Sequence, residues 1–258
     1  MEYSLITGAA SGLGKEFAKL YAQDNVNLIL VDINEVNLNE VKEEISKIND
    51  KIDIVLFKCD LSILDELKKL KDFLDKNNYF IAHLVNCAGF GDREDFLKMN
   101  IEKQIKMTEV NCNALLYISQ FVGQQMAMAK YGHIINVSSI AGFMSGPYMC
   151  TYHATKGYVL LLSESIGYEL RKHNVKVLTL CPGPFKSNFV KQAHNDYTFK
   201  KIKPFEASQV ALKAYNASKK GKKLLITGFK NKLTVFITRF FPRSLVTKVS
   251  AKTMKPNA

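Results

Sequence analysis

Short apolar runs alternate with amphipathic helical patterns along nearly the whole chain, and few folds accept that order. Residues 3–7, 27–31, 52–57, 83–85, 133–137, 175–181 and 223–227 read as strands. Between them, residues 13–23, 36–48, 64–74, 101–128, 152–171 and 207–217 place apolar side chains three and four apart, the spacing of one helix face. Strands this apolar need cover on both faces, and the helices supply it. The pattern therefore predicts an α/β fold, a doubly wound parallel sheet of about seven strands with helices on both faces. No repeat, linker or low-complexity stretch interrupts the alternation, so residues 1–258 read as one domain. Residues 230–258 form a basic amphipathic C-terminal extension within it, broken at Pro242 into two short helices.

Composition narrows the class. With 47% hydrophobic and 23% charged residues over 258 positions, the chain is too apolar for disorder and long enough for a sizeable core. No apolar run reaches the roughly 18 residues of a bilayer span. The strand pattern that starts at Met1-Glu2-Tyr3 leaves no room for a signal peptide, which points to the cytoplasm. Cysteines 59, 87, 112, 150 and 181 are odd in number and form no CxxC pair, which argues against a disulfide framework or a zinc site. They read as small buried residues, with no metal expected.

Charge is unevenly placed. The net charge is +12, and from Ala207 to Ala258 there are twelve Lys or Arg and no acid, so the rest of the chain is balanced. An anionic partner (a membrane surface, an acidic protein or a phosphate-bearing substrate) is one reading, and a solvated basic face the other. No nucleic-acid motif accompanies the charge, so nucleic acid is not expected.

The first strand runs into Thr7-Gly8-Ala9-Ala10-Ser11-Gly12-Leu13-Gly14 and then a helix. Glycines there allow a tight turn and bring backbone N–H groups to a pyrophosphate at the helix N-terminus. A plain strand–helix turn is the bland alternative. The second strand ends at Asp32, eighteen residues beyond Gly14. A carboxylate there accepts hydrogen bonds from ribose hydroxyls and repels a 2′-phosphate, and Ser11 and Ile33 put no cation beside it. NAD(H) is expected in preference to NADP(H). Capping of the next helix is an alternative role for Asp32, and the two can coexist. Asp60-Leu61 ends the third strand and Asn86-Cys87-Ala88-Gly89 the fourth, where small residues let the chain pass close to a ligand.

Thirteen residues after Ser139 comes Tyr152-His153-Ala154-Thr155-Lys156. Residues four apart share a helix face. A phenol titrates near 10, and an adjacent ammonium favours its anion, so Tyr152 beside Lys156 reads as a general acid/base for a carbonyl/alcohol pair, with Ser139 holding the substrate oxygen.

Taken in order, these motifs resemble the short-chain dehydrogenase/reductase family, in its single-domain, Rossmann-type branch. Its glycine motif matches Thr7–Gly14, its Asn-Asn-Ala-Gly motif Asn86–Gly89, its active-site pair Tyr152 and Lys156, its serine Ser139, and its Pro-Gly motif Pro182-Gly183. The resemblance implies a catalytic set of Asn111, Ser139, Tyr152 and Lys156. It implies cofactor contacts from Gly8, Ser11, Gly12, Leu13, Gly14, Asp32, Asp60, Leu61, Asn86, Ala88, Gly89, Tyr152, Lys156, Pro182, Gly183, Phe185 and Ser187. Tyr152 would pass the proton, Lys156 would lower its pKa and hold the nicotinamide ribose, and Asn111 would support a water. The family also implies a homodimer or homotetramer.

Two departures stand out. Cys87 replaces the motif's second Asn, and Phe185-Lys186-Ser187 follows the Pro-Gly motif where a Thr is common, so Ser187 would substitute. Residues 185–205 carry Phe185, Phe189, Val190, Tyr197, Phe199 and Phe205 with Lys186, Lys191, Lys200, Lys201 and Lys203; Met144, Tyr148 and Met149 would face them. This reads as a slot for an apolar ketone or alcohol such as an oxoacyl thioester or a sterol, or else as a packed lid. The extension would dock on an anionic membrane or sit in an oligomer interface. The reaction expected is ketone or aldehyde to alcohol by hydride transfer. A nucleotide-binding redox regulator without turnover is the alternative, and an intact catalytic set argues against it.

Overall fold

The computed structural model describes residues 1–186 and 204–255. Each apolar run becomes a strand: β1 (Glu2–Thr7), β2 (Asn27–Asp32), β3 (Ile54–Lys58), β4 (Phe80–Asn86), β5 (Gly132–Val137), β6 (Val175–Cys181) and β7 (Leu224–Ile226). The helical patterns become α1 (Gly12–Gln23), α2 (Glu35–Ser46), α3 (Leu64–Lys76), α4 (Ile101–Thr108), α5 (Leu115–Ala129), α6 (Cys150–Leu170), α7 (Ala207–Lys219), α8 (Phe229–Thr238) and α9 (Arg243–Met254). The strands pair in parallel throughout, in the order β3-β2-β1-β4-β5-β6-β7. This is the doubly wound Rossmann-type sheet that the pattern predicts.

Successive strand residues point to opposite faces, and both faces are filled. Ile6, Leu30, Val85, Ile135 and Leu178 pack with Leu13, Phe17 and Leu38 on one side. Their neighbours Leu5, Ile29, Leu84, Ile134 and Val177 pack with Leu70, Ile118 and Phe121 on the other. That double burial is why these strands show no polar alternation.

Three details depart from the sequence reading. Strand β4 begins at Phe80 rather than residue 83, and β3 at Ile54 rather than residue 52. The single helix expected over 101–128 is broken by a π-helical turn, Glu109–Ala114. Pro242 marks the break expected in the C-terminal extension, standing at the N-cap of α9.

His83 on β4 and His133 on β5 lie with ring centroids 5.4 Å apart, and Tyr21 of α1 sits 5.0 Å from His83. Burial pushes His83 down to about 4, and His133 is lowered by burial too. A folded pKa below the unfolded value means that the unfolded chain binds more protons as the pH falls through 6.5 toward 4. Stability therefore drops over that window. For His83 alone the expected loss between pH 7 and pH 5 is about 2 kcal/mol. Urea unfolding of the wild type and His83→Gln at both pH values checks this; an equal acid loss in the two proteins would remove His83 as its source.

Candidate active site

Strand order reverses between β1 and β4, where the chain winds one way to β3 and the other way to β7. A crevice opens beyond the carboxyl ends of the strands at such a point. Here the Thr7 hydroxyl accepts hydrogen bonds from the N–H groups of Cys87 (3.1 Å) and Ala88 (3.2 Å), stitching the two strand ends together. The approach is so close that a Cβ on Gly8 would lie 2.9 Å from the Ala88 backbone, and Gly8 also has φ +68°. Both facts require glycine. A Cβ on Gly14 would meet the Gly8 carbonyl oxygen at 2.2 Å, so Gly14 lets α1 pack down onto the turn.

Above this floor lies a cavity of about 740 Å³. At one end stands the start of α1. Its N-cap, Ser11, makes no side-chain cap bond, and no acid occupies the first turn, so the end of the helix is positive and its N–H groups are available. Asp32 stands beside it. Its Oδ2 accepts from the Ala10 N–H (3.0 Å) and its Oδ1 from the Asn34 N–H (3.0 Å). The cap of α2 is Asn34, whose side chain accepts from the Asn37 N–H, so capping is not the role of Asp32. The carboxylate keeps further lone pairs toward the cavity that it lines. Asp60 also lines this end, with Oδ1 on Ser62 and Oδ2 on the Lys106 ammonium at 2.8 Å. Burial works to raise its pKa, but the Lys106 and Ser62 bonds outweigh it and hold the carboxyl low.

At the other end Ser139, Tyr152 and Lys156 converge. Ser139 follows β5 and caps the short 3₁₀ turn Ile140–Phe143, accepting from the Ala141 N–H at 3.1 Å. Tyr152 and Lys156 project from the first turns of α6. The Tyr152 hydroxyl is hydrogen-bonded to Ser139. The Lys156 ammonium donates to the Val137 carbonyl (2.9 Å) and lies 5.8 Å from the Tyr152 ring centroid. Lys156 is 6% exposed, and burial lowers its pKa. Burial raises Tyr152 to about 12, with the Ser139 bond acting the other way.

Of the expected site residues, Gly8, Ser11, Gly12, Leu13, Asp32, Asp60, Leu61, Ala88, Gly89, Ser139, Tyr152, Lys156, Pro182, Gly183 and Phe185 line the cavity. Gly14 lies beneath the turn. Ser187 lies outside the described residues, as do Phe189, Val190, Lys191, Tyr197, Phe199, Lys200, Lys201 and Lys203.

Asn111 and Asn86 stand behind the wall. The π-helical turn carries Asn111, which is 1% exposed. Its amide donates to the Phe90 carbonyl (3.0 Å) and Thr155 Oγ1 (3.1 Å) and accepts from the Phe90 N–H (3.1 Å). It thereby clamps the segment after β4 against α6. Asn86, expected among the cofactor contacts, does not line the cavity: its Nδ2 donates to Ser119 and to Asn136, each at 2.9 Å, inside the sheet. Asn136 continues the chain to Ser163 at 3.0 Å.

Sequence reasoning did not single out several cavity residues, His153 and Met254 among them. His153 is 5% exposed, with Nδ1 against the Met144 carbonyl at 2.8 Å. Met254, at the end of α9, reaches the cavity beside Met144 and Met149. Nothing local in the sequence signals that return. Cys59, Cys112 and Cys181 are buried as expected, while Cys87 is half-buried at the cavity wall; burial raises the Cys59, Cys87 and Cys181 thiols to about 12 and Cys112 to about 11.

Known proteins share this arrangement. The sequence profile described as short chain dehydrogenase matches residues 2–198. The chain is 30% identical over 179 residues to the 3-oxoacyl-[acyl-carrier-protein] reductase of Thermotoga maritima, covering 69% of this chain and 72% of that one. A short-chain dehydrogenase from Sphingobium yanoikuyae in complex with NADPH superposes with a TM-score of 0.83 at 22% identity over 93% of each chain. A short-chain dehydrogenase/reductase from Burkholderia phymatum in complex with NAD gives 0.84 at 22% identity, again over 93% of each. At that identity the two structures speak to the fold alone.

The position of Asn86 gives a test. Asn86→Ala leaves the Ser119 and Asn136 groups short of a buried partner, which should cost about 2 kcal/mol. Denaturant unfolding should show that loss, while calorimetric titration shows dinucleotide affinity nearly unchanged. A stable variant that no longer binds a dinucleotide would restore Asn86 as a ligand contact.

Proposed function

The chain belongs to the short-chain dehydrogenase/reductase family and is an oxidoreductase acting on CH–OH groups, and we propose that it interconverts an apolar ketone or aldehyde with its alcohol, using NAD(H) in preference to NADP(H). One observation carries the reading. Ser139, Tyr152 and Lys156 meet at one end of a cavity whose other end holds the Gly8 turn, the uncapped start of α1 and Asp32.

The residues fit a dinucleotide. Gly8 and Gly14 leave a turn that a single Cβ would fill, and the free N–H groups of α1 suit a pyrophosphate. Asp32 suits an unphosphorylated ribose. The two lysines that line that end, Lys103 and Lys106, are already paired with Asp92 and Asp60, so among the described residues no unpaired cation stands there for a 2′-phosphate. Lys156, with one carbonyl partner, would hold the nicotinamide-side ribose.

A bound nicotinamide supplies or accepts the hydride. The chain's own residues manage the oxygen and the proton. Ser139 orients the substrate oxygen by a hydrogen bond. In reduction, Tyr152 donates its phenolic proton to that oxygen as the carbon accepts hydride. Its raised pKa keeps it protonated at neutral pH, so it starts as a donor. The phenolate left behind is met by the Ser139 hydroxyl, whose bond opposes the cost of burial, with the Lys156 ammonium 5.8 Å from the ring centroid. In oxidation the same phenolate takes the alcohol proton. Met144, Met149, Phe185 and Met254 give the substrate end an apolar lining. That lining and the oxoacyl substrate of the Thermotoga maritima relative support an apolar carbonyl compound. The protein is further read as a cytoplasmic homo-oligomer whose basic extension meets an anionic surface.

Two variants test the assignment. Tyr152→Phe should lower turnover about 10²–10⁴-fold, the size of a lost general acid, while NADH binding followed by calorimetry is retained. In the wild type, alcohol oxidation should rise with pH through the alkaline range, because burial holds the phenol protonated, and the variant should lose that limb. Asp32→Ala should weaken NADH and bring NADPH nearer to it. An unchanged ratio of the two affinities would show that Asp32 serves only the turn.

A further inference from the structure

Helices α8 and α9 carry an outward surface that folding does not use. Along α8 and the turn that follows it, Phe229, Leu233, Phe236 and Phe240 recur at i, i+4, i+7 and i+11, the spacing of one helix stripe. They are 80%, 47%, 57% and 69% exposed, while Val235 on the opposite side is buried. At 100° per residue, Lys230 falls on one flank of the stripe and Lys232 and Arg239 on the other. Phe241 continues it across the bend, and α9 extends it with exposed Leu245 and Val249 among Lys248 and Lys252. No acid lies anywhere in this part of the chain.

The same pair is fastened to the substrate end of the cavity. Thr247 of α9 is hydrogen-bonded through its hydroxyl to Ser145 at 2.5 Å, one residue from Met144. Asn231 of α8 packs so closely on Gly183 that a Cβ there would lie 2.1 Å from its amide nitrogen. Met254 forms part of the lining.

We propose that the α8–α9 face docks on an anionic lipid bilayer, lying in its interface, so that the substrate end of the cavity is held at the membrane and takes a lipid-borne carbonyl compound. Apolar aromatics flanked by cations on both sides, without a single acid, match a surface of anionic headgroups over acyl chains. No described helix is long and apolar enough to cross a membrane, which fits a helix pair lying along one. The substrate clause rests on the reaction proposed above; the docking clause does not.

Flotation of the full chain with vesicles tests it. The chain should float with phosphatidylcholine vesicles containing phosphatidylglycerol and stay at the bottom with phosphatidylcholine alone. Phe236→Ser with Phe240→Ser, and separately Arg239→Gln with Arg243→Gln, should each lower the bound fraction, the charge pair by about tenfold or more in partition coefficient. Both variants should reduce a water-soluble ketone at the wild-type rate and lose turnover of a long-chain ketone embedded in the mixed vesicles. A chain that stays at the bottom with both lipids, or binds both equally, overturns the docking. So do variants that float like the wild type, and a Phe pair whose loss splits an oligomer in sedimentation, which would make the face a contact between copies. Flotation without turnover of any ketone leaves the docking standing and overturns the reaction instead.

Discussion

Where the chain leaves β1 and β4, two backbones run closer than a side chain allows. Gly8 lies with a positive φ against the Ala88 backbone, and the Thr7 hydroxyl holds the N–H groups of Cys87 and Ala88. That contact joins the two halves of the sheet at the point where its winding reverses. It also sets the floor of the cavity. The turn that follows Gly8 presents the start of α1, and the segment after Ala88 is held by Asn111 through Phe90. A larger residue at position 8 would separate the two strand ends and disturb the cavity floor that they form.

Burial then sets the chemistry. The environment that raises Tyr152 lowers Lys156, because each prefers its neutral form when dehydrated. The phenol is thereby favoured in its protonated form, and the ammonium's hold on its own proton is weakened. Three thiols, Cys87, Cys112 and Cys181, surround Lys156 closely enough to interact with it electrostatically. Burial keeps them protonated, so they fill space without adding fixed charge. Cys87 stands where the family motif has Asn, close to Lys156. The counterweights to burial are few and specific: the Ser139 bond to Tyr152 and the Val137 carbonyl on Lys156.

Much of this was legible in the sequence because it is local. Period-free apolar strands and three-and-four helix spacing gave the parallel sheet, and the strand–turn–helix at Thr7–Gly14 and the four-residue step from Tyr152 to Lys156 gave the two ends of the cavity. What was not legible depends on contacts between distant segments. The helix pattern over 101–128 is continuous in sequence, and only the packing of Asn111 against Phe90 and Thr155 shows why a π-helical turn interrupts it. Asn86 sits at a strand end, where a ligand contact and a buried cross-strand bond read alike; the register pairing it with Asn136 decides for the second. For Tyr152, spacing reports that a lysine is near, but not that both groups are dehydrated.

The C-terminal extension separates two kinds of constraint on a sequence. In α1 the apolar positions are chiefly the buried ones, so packing accounts for them. In α8 and α9 the residues that bury are chiefly Val235 and Ser250, and the large apolar side chains face outward. Packing therefore explains where the pair attaches, through Asn231, Thr247 and Met254, but not what its outer surface is made of. Exposed aromatics contribute nothing to folding and raise the risk of aggregation. Their arrangement in one stripe between cations, on the two helices that border the Met144 end of the cavity, points to a requirement outside the folded chain.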